Sequence, residues 1–398
     1  MDKTGGFKVL AKVPDAILIV CAFGALVVGL WLSVYFGSAV ARGIFSDSMY
    51  VHADFDSFWR SAVALWEGRN IYDTGTLWTN LNPPFWTLLI SPLGLLEPLT
   101  AYRVFVLVTL LMNVGSLVWM AYELRLRLGW AVVGVGMLLL SSPLIDTLRL
   151  GQLYPVLALG LVAAWVADRH DKPLLSGCAL GLVVAVKPSL APVLLWPLMR
   201  RRWSMLGAAL ASGTAAMLVG LIVVGPEATL NWLRLLAIVE PAGYWENASL
   251  PSAAARFFSE NQYVEPIATL PWAVPVAKVL GVGILILTAA KVRRDPEMSF
   301  WALVAASLLF SPIAWYRYLV LLGPGILLLF ARGSVAPALL LLALQFIPRE
   351  WFDLWQNAQS AVVALALTLY FYILLAYWFA LLPTDTEEPA RTSEPERT

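Results

Sequence analysis

Residues 14–36 read PDAILIVCAFGALVVGLWLSVYF, an apolar run with a single charged side chain, Asp15. A helix of about 20 apolar residues is long enough to cross the hydrocarbon core of a bilayer. Similar runs recur as far as residue 382, and 60% of the chain is apolar whereas 13% is charged. Soluble domains carry about 25% charged residues. The sequence therefore predicts an integral membrane protein.

We expect residues 1–382 to form one all-α membrane domain, because no polar insertion between the apolar runs is large enough to fold separately. Residues 383–398 are acidic and proline-rich, which predicts a disordered cytoplasmic tail. The apolar runs predict about 12 crossings with both termini in the cytoplasm. The loops predicted to be cytoplasmic are basic: Arg125, Arg169, Arg200, Lys291 and Arg332.

Two apolar segments do not fit simple crossings. Residues 84–96 are too short to span a bilayer, and we expect a re-entrant or surface helix there. Residues 174–199 begin and end beside basic residues, so both ends are predicted to be cytoplasmic. This segment must turn in its middle, and Lys187-Pro188 supplies the helix break. Proline breaks inside a membrane are tolerated where they line a polar cavity.

The most polar stretch near the membrane is His52-Ala-Asp54-Phe-Asp56-Ser-Phe-Trp59-Arg60. Its apolar residues recur at helical spacing, which predicts an amphipathic helix in the first outer loop. Placing a charged side chain at a membrane costs free energy, so charged residues found there often have a function. Asp54 and Asp56 are therefore candidate catalytic carboxylates. In a helix they lie about 200° apart, and only one of them can face a given cavity.

Further polar residues are predicted to gather at the outer half of the membrane, where residues 141–152 and 225–270 are expected to form outer loops. Arg149, Lys187 and Arg317 are candidates for binding a donor phosphate, because cations near helix breaks can stabilise a leaving phosphate. The candidate substrate-binding residues are Arg60, Asn82, Gln152, Asn247, Ser249, Trp315 and Tyr318. The arginines could instead snorkel to the interface, and Trp315 could belong to an aromatic belt. The chain has no G-x-x-x-x-G-K phosphate loop, which favours a lipid-linked phosphosugar over a nucleotide donor.

The order of short motifs resembles that of a known family. The motifs are Asp54-Phe-x4-Arg60, Gly68-x3-Tyr72, Asn82-Pro-Pro-Phe85, Gly151-Gln152, Lys187-Pro188, Asn247-x-Ser249-Leu250 and Ser311-Pro-x2-Trp315. Over about residues 50–330 the chain resembles glycosyltransferase family 87, the polyprenyl-phosphate-sugar-dependent membrane enzymes that include mycobacterial mannosyl- and arabinofuranosyltransferases.

The resemblance implies a polytopic helical bundle of the GT-C type in the bacterial inner membrane, with its active site facing outside. It implies inverting transfer of a sugar, with mannose favoured, from a polyprenyl phosphate to a lipid-anchored glycan or polysaccharide. Asp54 matches the family's base, and Asp56 is the reserve. We expect no metal and no further cofactor. Arabinofuranosyl transfer, or a lipid-sugar transporter or flippase without catalysis, are the alternatives.

Overall fold

The computed structural model describes residues 14–36, 41–238, 240–241, 243–355 and 361–383. The predicted cytoplasmic amino terminus and almost all of the predicted disordered tail lie outside these residues. Within the described part the chain is helical and contains no β-strand.

The first half of the chain contains α1 Asp15–Tyr35, α2 Ala53–Trp66, α3 Pro84–Ile90, α4 Pro98–Glu123, α5 Leu128–Leu139, α6 Ser142–Leu150, α7 Tyr154–Arg169, α8 Pro173–Val186 and α9 Leu195–Met199. The second half contains α10 Trp203–Val224, α11 Pro226–Ala237, α12 Leu250–Phe258, α13 Ala273–Lys291, α14 Pro296–Phe310, α15 Gly323–Ala331, α16 Val335–Leu344, α17 Ala361–Leu367 and α18 Leu369–Leu381. Short 3₁₀ segments lie at Met49–His52, Ser91–Leu95, Pro188–Leu194, Tyr316–Leu322 and Arg349–Trp355.

Several of these helices are suited to a membrane by length and composition. Among the described residues, α1, α4, α10 and α13 are each long and apolar enough to cross. Two bent pairs, α5 with α6 (44°) and α16 with Arg349–Trp355 (65°), could each form one further span. The other predicted crossings mostly coincide with shorter apolar helices. The protein is thus a multi-pass helical membrane protein, and the number of 12 crossings stays a prediction.

The sequence interpretation missed some helices between the apolar runs. Residues 141–152, predicted to be an outer loop, contain α6, and the predicted long loop 225–270 contains α11 and α12. Each of these three helices has a proline in its first turn, where the fixed φ of proline suits a helix start and its missing N–H is not needed.

The centre of the bundle is α14. Every residue from Met298 to Leu309 in this helix is buried. A helix that is apolar on all sides is expected to be enclosed by other helices rather than to face one core. Its amino end is capped by Asp295, whose Oδ1 accepts hydrogen bonds from the backbone N–H groups of Glu297 and Met298, each at 3.1 Å.

Small residues bring α8 and α10 into close contact. A Cβ added at Gly181 would lie 2.1 Å from Oγ of Ser212 and 2.2 Å from the carbonyl oxygen of Ala209. Glycine allows two membrane helices to approach until their backbones touch. This packing fixes α8, which ends immediately before Lys187.

The basic loops predicted to share one side meet at one end of the bundle. Arg200 pairs with Asp168 at 2.6 Å, and Arg202 pairs with Asp171 at 2.7 Å. Arg169 joins the ends of α4 and α14 through two further carboxylates, and Arg332 bonds to the same α14 carboxylate. Both ends of the segment 174–199 therefore lie at this basic end, and the chain reverses at the predicted break after Lys187.

Candidate active site

The predicted amphipathic helix is present as α2. Its apolar side is buried against α4 and α3, with ring centroids 5.7 Å apart both for Phe55 and Tyr102 and for Phe58 and Trp86. This packing fixes the first turn of α2, which carries both candidate carboxylates. Asp54 is half-buried there.

The two carboxylates have different partners, as the helical geometry predicts. Gln152 Nε2 donates a hydrogen bond to Oδ2 of Asp54 at 2.6 Å. Asp56 instead accepts a hydrogen bond from Nε of Arg60 at 3.1 Å, and half of the Arg60 side chain is exposed. Arg60, predicted to bind substrate, is thus part of a surface ion pair one turn along the same helix.

Gly151 makes the contact between Gln152 and Asp54 possible. It ends α6 with a φ of 69°, in the left-handed region that favours glycine. A Cβ at this position would lie 2.5 Å from Cβ of Phe55. The sequence pair Gly151-Gln152 therefore lets the end of α6 touch α2 beside Asp54.

Among the described residues, six charged side chains form an ion-pair network at this end of the bundle: Asp146, Arg149, Glu246, Arg317, Arg349 and Glu350. Nε of Arg149 donates to Oδ1 of Asp146 at 2.8 Å, and Nη1 of Arg317 donates to Oδ2 of Asp146 at 2.8 Å. Arg317 also bonds to Glu246. Nη1 of Arg349 lies 3.3 Å from Oε1 of the same carboxylate. Because carboxylates hold both Arg149 and Arg317, neither arginine of the predicted phosphate site is free of a partner.

Asp146 and Glu246 were not among the predicted site residues. Each has a side chain at most 2% exposed and is held by Arg317, whose own side chain is 7% exposed. Asp146 and Glu246 lie 171 and 71 residues from Arg317 in the chain. A signal was present in the sequence, because Asp146 precedes Arg149 by three residues and such pairs meet on one helical face.

Lys187 differs from the arginines. Its Nζ donates to Oδ1 of Asn82 at 3.3 Å and lies 5.6 Å from the ring centroid of Tyr318. No carboxylate of the described residues lies within ion-pair distance of it. Asn82 is itself held in place, because the Tyr72 hydroxyl donates to its backbone carbonyl oxygen at 2.8 Å and its Nδ2 donates to Oδ1 of Asn80 at 3.1 Å. The structure thus brings two predicted residues, Asn82 and Tyr318, into contact with the half-buried cation of Lys187.

Three other predicted residues build the adjacent loops. Oδ1 of Asn247 accepts from the backbone N–H of Ala314 at 2.9 Å, and its Nδ2 donates to the carbonyl of Pro312 at 3.0 Å. Ser249 is fully buried and caps the amino end of α12. The Trp315 ring is half-buried and lies 5.9 Å from the guanidinium carbon of Arg317. The Asn247 and Ser249 side chains hold the loops together beside the ion-pair network.

Asp54 has the electrostatic environment expected of a base. Helix α2 is not one of the helices that are long and apolar enough to cross a membrane. Burial raises the pKa of Asp54 above its usual value, and the carboxylates of Asp146 and Glu246 act in the same direction. The Arg317 guanidinium and the Gln152 hydrogen bond lower the pKa of Asp54, but burial outweighs them.

Among the described residues no group of three or more histidine, cysteine, aspartate or glutamate side chains is placed to hold a metal ion. Among the described residues, this end of the bundle brings together a carboxylate with a raised pKa, Asp54, a cation without a carboxylate partner, Lys187, and a network of paired charges.

The comparison with known families identifies the family to which the chain belongs. The model of glycosyltransferase family 87 matches residues 78–312, which is more than half of the 398-residue chain. The chain belongs to glycosyltransferase family 87. It is a membrane glycosyltransferase, which agrees with its apolar helices. The matched region of this family 87 enzyme includes Gln152 and Lys187, whereas Asp54 precedes it.

Two characterised relatives have different sugar specificities. The α-(1→3)-arabinofuranosyltransferase of Corynebacterium glutamicum is 26% identical over 263 residues, which cover 63% of this chain and 60% of the relative. The polyprenol-phosphate-mannose-dependent α-(1→2)-phosphatidylinositol mannoside mannosyltransferase of Mycobacterium tuberculosis is 24% identical over 354 residues, covering 79% of this chain and 80% of the relative.

Proposed function

We propose that this family 87 enzyme transfers a sugar, with mannose favoured, from a polyprenyl-phosphate donor to a lipid-anchored glycan or polysaccharide acceptor. The reaction takes place at the outer face of the bacterial inner membrane and inverts the anomeric centre. The observation that carries the proposal is the half-buried Asp54 carboxylate, held by Gln152 and close to the ion-pair network.

Asp54 acts as the general base. It accepts the proton of an acceptor hydroxyl while that oxygen forms a bond to the anomeric carbon of the donor sugar. The bond between the anomeric carbon and the phosphate oxygen breaks, and its electron pair leaves with the polyprenyl phosphate. A raised pKa makes Asp54 a better proton acceptor than an exposed carboxylate. A single displacement of this kind inverts the configuration.

Lys187 binds the donor phosphate. It is a half-buried cation that contacts Asn82 and the Tyr318 ring, and it has no carboxylate partner among the described residues, so it can form a charge-assisted bond to a phosphate without first losing a carboxylate. Arg317 places a positive charge near Asp54, whereas Arg149, the other cation of the predicted phosphate site, is held by Asp146. The apolar helix surfaces accommodate the polyprenyl tail.

Transfer of arabinofuranose by the same mechanism is the second candidate, because one relative is named for it. The test uses purified protein in liposomes with radiolabelled polyprenyl-phosphate-mannose and, separately, the corresponding arabinofuranose donor. We expect label to pass from the mannose donor to a lipid-anchored mannoside acceptor. Transfer only from the arabinose donor would select the second candidate. Movement of intact labelled lipid across the bilayer, without transfer from either donor, would contradict both and favour a flippase.

A further inference from the structure

His52 lies two residues before Asp54 and is completely buried. Its Nδ1 is 2.6 Å from the carbonyl oxygen of Arg149, and its Nε2 is 3.1 Å from the carbonyl oxygen of Ser46. The imidazole stacks on the ring of Tyr102, with centroids 3.5 Å apart. A carbonyl oxygen only accepts, so a ring nitrogen bonds to it only when that nitrogen carries a proton. The shorter of the two contacts, from Nδ1 to Arg149, is the one in which we place the proton.

Tyr102 contacts the same helix end. Its hydroxyl donates to the carbonyl oxygen of Leu148 at 2.9 Å and also approaches that of Arg149. The last carbonyl groups of a helix have no partner within the helix and must be satisfied from outside. His52 and Tyr102 together therefore fix the last turn of α6.

This turn determines where Gln152 lies. Gly151 follows α6 in the left-handed conformation, and Gln152 comes next and bonds to Asp54. In the first segment His52 is two residues from Asp54, and in the second segment Arg149 is three residues from Gln152. The His52 bond to Arg149 is thus a second link between the same two segments, close to the bond from Gln152 to Asp54.

We propose that His52 is a positioning residue, which holds the carboxyl end of α6 against the start of α2 so that Gln152 orients the Asp54 carboxylate. This inference rests on the proposed function of Asp54 as the base. His52 itself does not contact substrate. A displacement of a reacting group by about 1 Å can lower a rate by about 100-fold, so the loss of this link is expected to affect turnover more than donor binding.

The test compares two variants of the full-length protein. His52→Phe keeps an aromatic ring on Tyr102 but has no donor for the Arg149 carbonyl. In His52→Asn the side-chain amide can replace the Nδ1 donor. We expect His52→Phe to lower kcat by about 10- to 100-fold with the donor Kd changed by less than about twofold. We expect His52→Asn to retain kcat within about fivefold of the wild type.

The pH profile separates positioning from a general effect on structure. When Gln152 moves away, the Asp54 pKa rises, because the Gln152 bond lowers it. The acidic limb of kcat should therefore move to higher pH in His52→Phe and stay in place in His52→Asn. The charged or titratable groups near Asp54 that are unchanged in both variants are Arg317, Asp146, Glu246 and Tyr154.

Three results would overturn the inference. A wild-type kcat in His52→Phe would do so. A second such result would be that kcat, donor affinity and melting temperature all fall together, and to a similar extent, in His52→Phe and His52→Asn. If His52→Phe does not fold, Tyr102→Phe, which loses the bond to Leu148, carries the same expectation for kcat and pH.

Asp54→Asn is measured in parallel. Turnover by Asp54→Asn would refute the proposed base and this inference with it, whereas an inactive Asp54→Asn beside an active His52→Phe would refute the inference alone.

Discussion

In the proposed mechanism Asp54 must be ionised to accept a proton, so its raised pKa sets the pH below which we expect activity to fall. The rate of transfer should fall as the pH drops through that pKa, because the protonated fraction of Asp54 grows. Gln152→Leu removes the hydrogen bond that lowers this pKa. We therefore expect the acidic limb of the profile of kcat against pH to move to higher pH. The matched control is Gln262→Leu at an exposed glutamine, and an equal shift in that variant would contradict the explanation.

Lys187 provides a second test at the scale of single residues. Lys187→Met keeps the length of the side chain but removes its charge, so the donor phosphate loses one charge-assisted bond. We expect the KM for the donor to rise by about tenfold, which corresponds to about 1.4 kcal/mol, with the acidic limb of the pH profile unchanged. Lys172→Met, at an exposed lysine at the opposite end of the bundle, should leave KM unaltered. An unchanged KM in Lys187→Met would argue against phosphate binding there.

The sequence placed several of these residues in one group from their motifs. Asp54 with Gln152, and Lys187 with Asn82 and Tyr318, are indeed in contact. What it could not reveal is which cations already have partners. The pairing of Arg317 with Asp146 and Glu246 joins distant parts of the chain, and a pairing that depends on tertiary packing has no periodic signature.

At the scale of helices, the turn after α6 is the element on which the site geometry depends most. Gly151→Ala would combine an unfavourable left-handed φ with a contact of 2.5 Å to Phe55. Gly75 has a φ of 64° with open space around it, so Gly75→Ala measures the backbone effect alone.

We expect Gly75→Ala to lower the free energy of unfolding by about 1 kcal/mol. Gly151→Ala should lower it by about 3 kcal/mol, because overpacking is added to the backbone strain, and it should also reduce kcat. Thermal unfolding of both variants in detergent, together with the transfer assay, measures these effects. Equal melting temperatures for the two variants would show that the close approach to Phe55 is unimportant.

Helix α2 could be predicted because its apolar residues recur at helical spacing and face one side. The end of α8 could be predicted because a proline follows Lys187. Helix α6 was not predicted, because Asp146 and Arg149 interrupt its apolar pattern. In the structure these two charges neutralise each other on the buried side of that helix.

At the scale of the whole molecule, the basic loops and the candidate site lie at opposite ends. Helix α7 begins at Tyr154, whose ring lies 4.3 Å from that of Tyr318, and ends at Arg169 in the basic cluster. A helix of 16 residues is about 24 Å long, which is most of the roughly 30 Å thickness of a bilayer core. The positive-inside rule then predicts that the site faces outside.

Labelling with a membrane-impermeant thiol reagent tests this orientation in cells. In a background without Cys21 and Cys178, the exposed positions Thr79 and Lys172 are changed separately to cysteine. We expect Thr79→Cys to react in intact cells and Lys172→Cys to react only after the membrane is permeabilised. Labelling of both variants from the same side would refute the proposed arrangement of the two ends.

The most direct test of the central claim is transfer of radiolabelled mannose from polyprenyl phosphate by two matched variants, Asp54→Asn and Asp56→Asn. Asp54→Asn should lower kcat by about 10²- to 10⁴-fold, which leaves almost no turnover. The variant should still fold and bind the donor. Asp56→Asn breaks only the pair with Arg60 and should lose less than about tenfold. An active Asp54→Asn together with an inactive Asp56→Asn would contradict the assignment of Asp54 as the base.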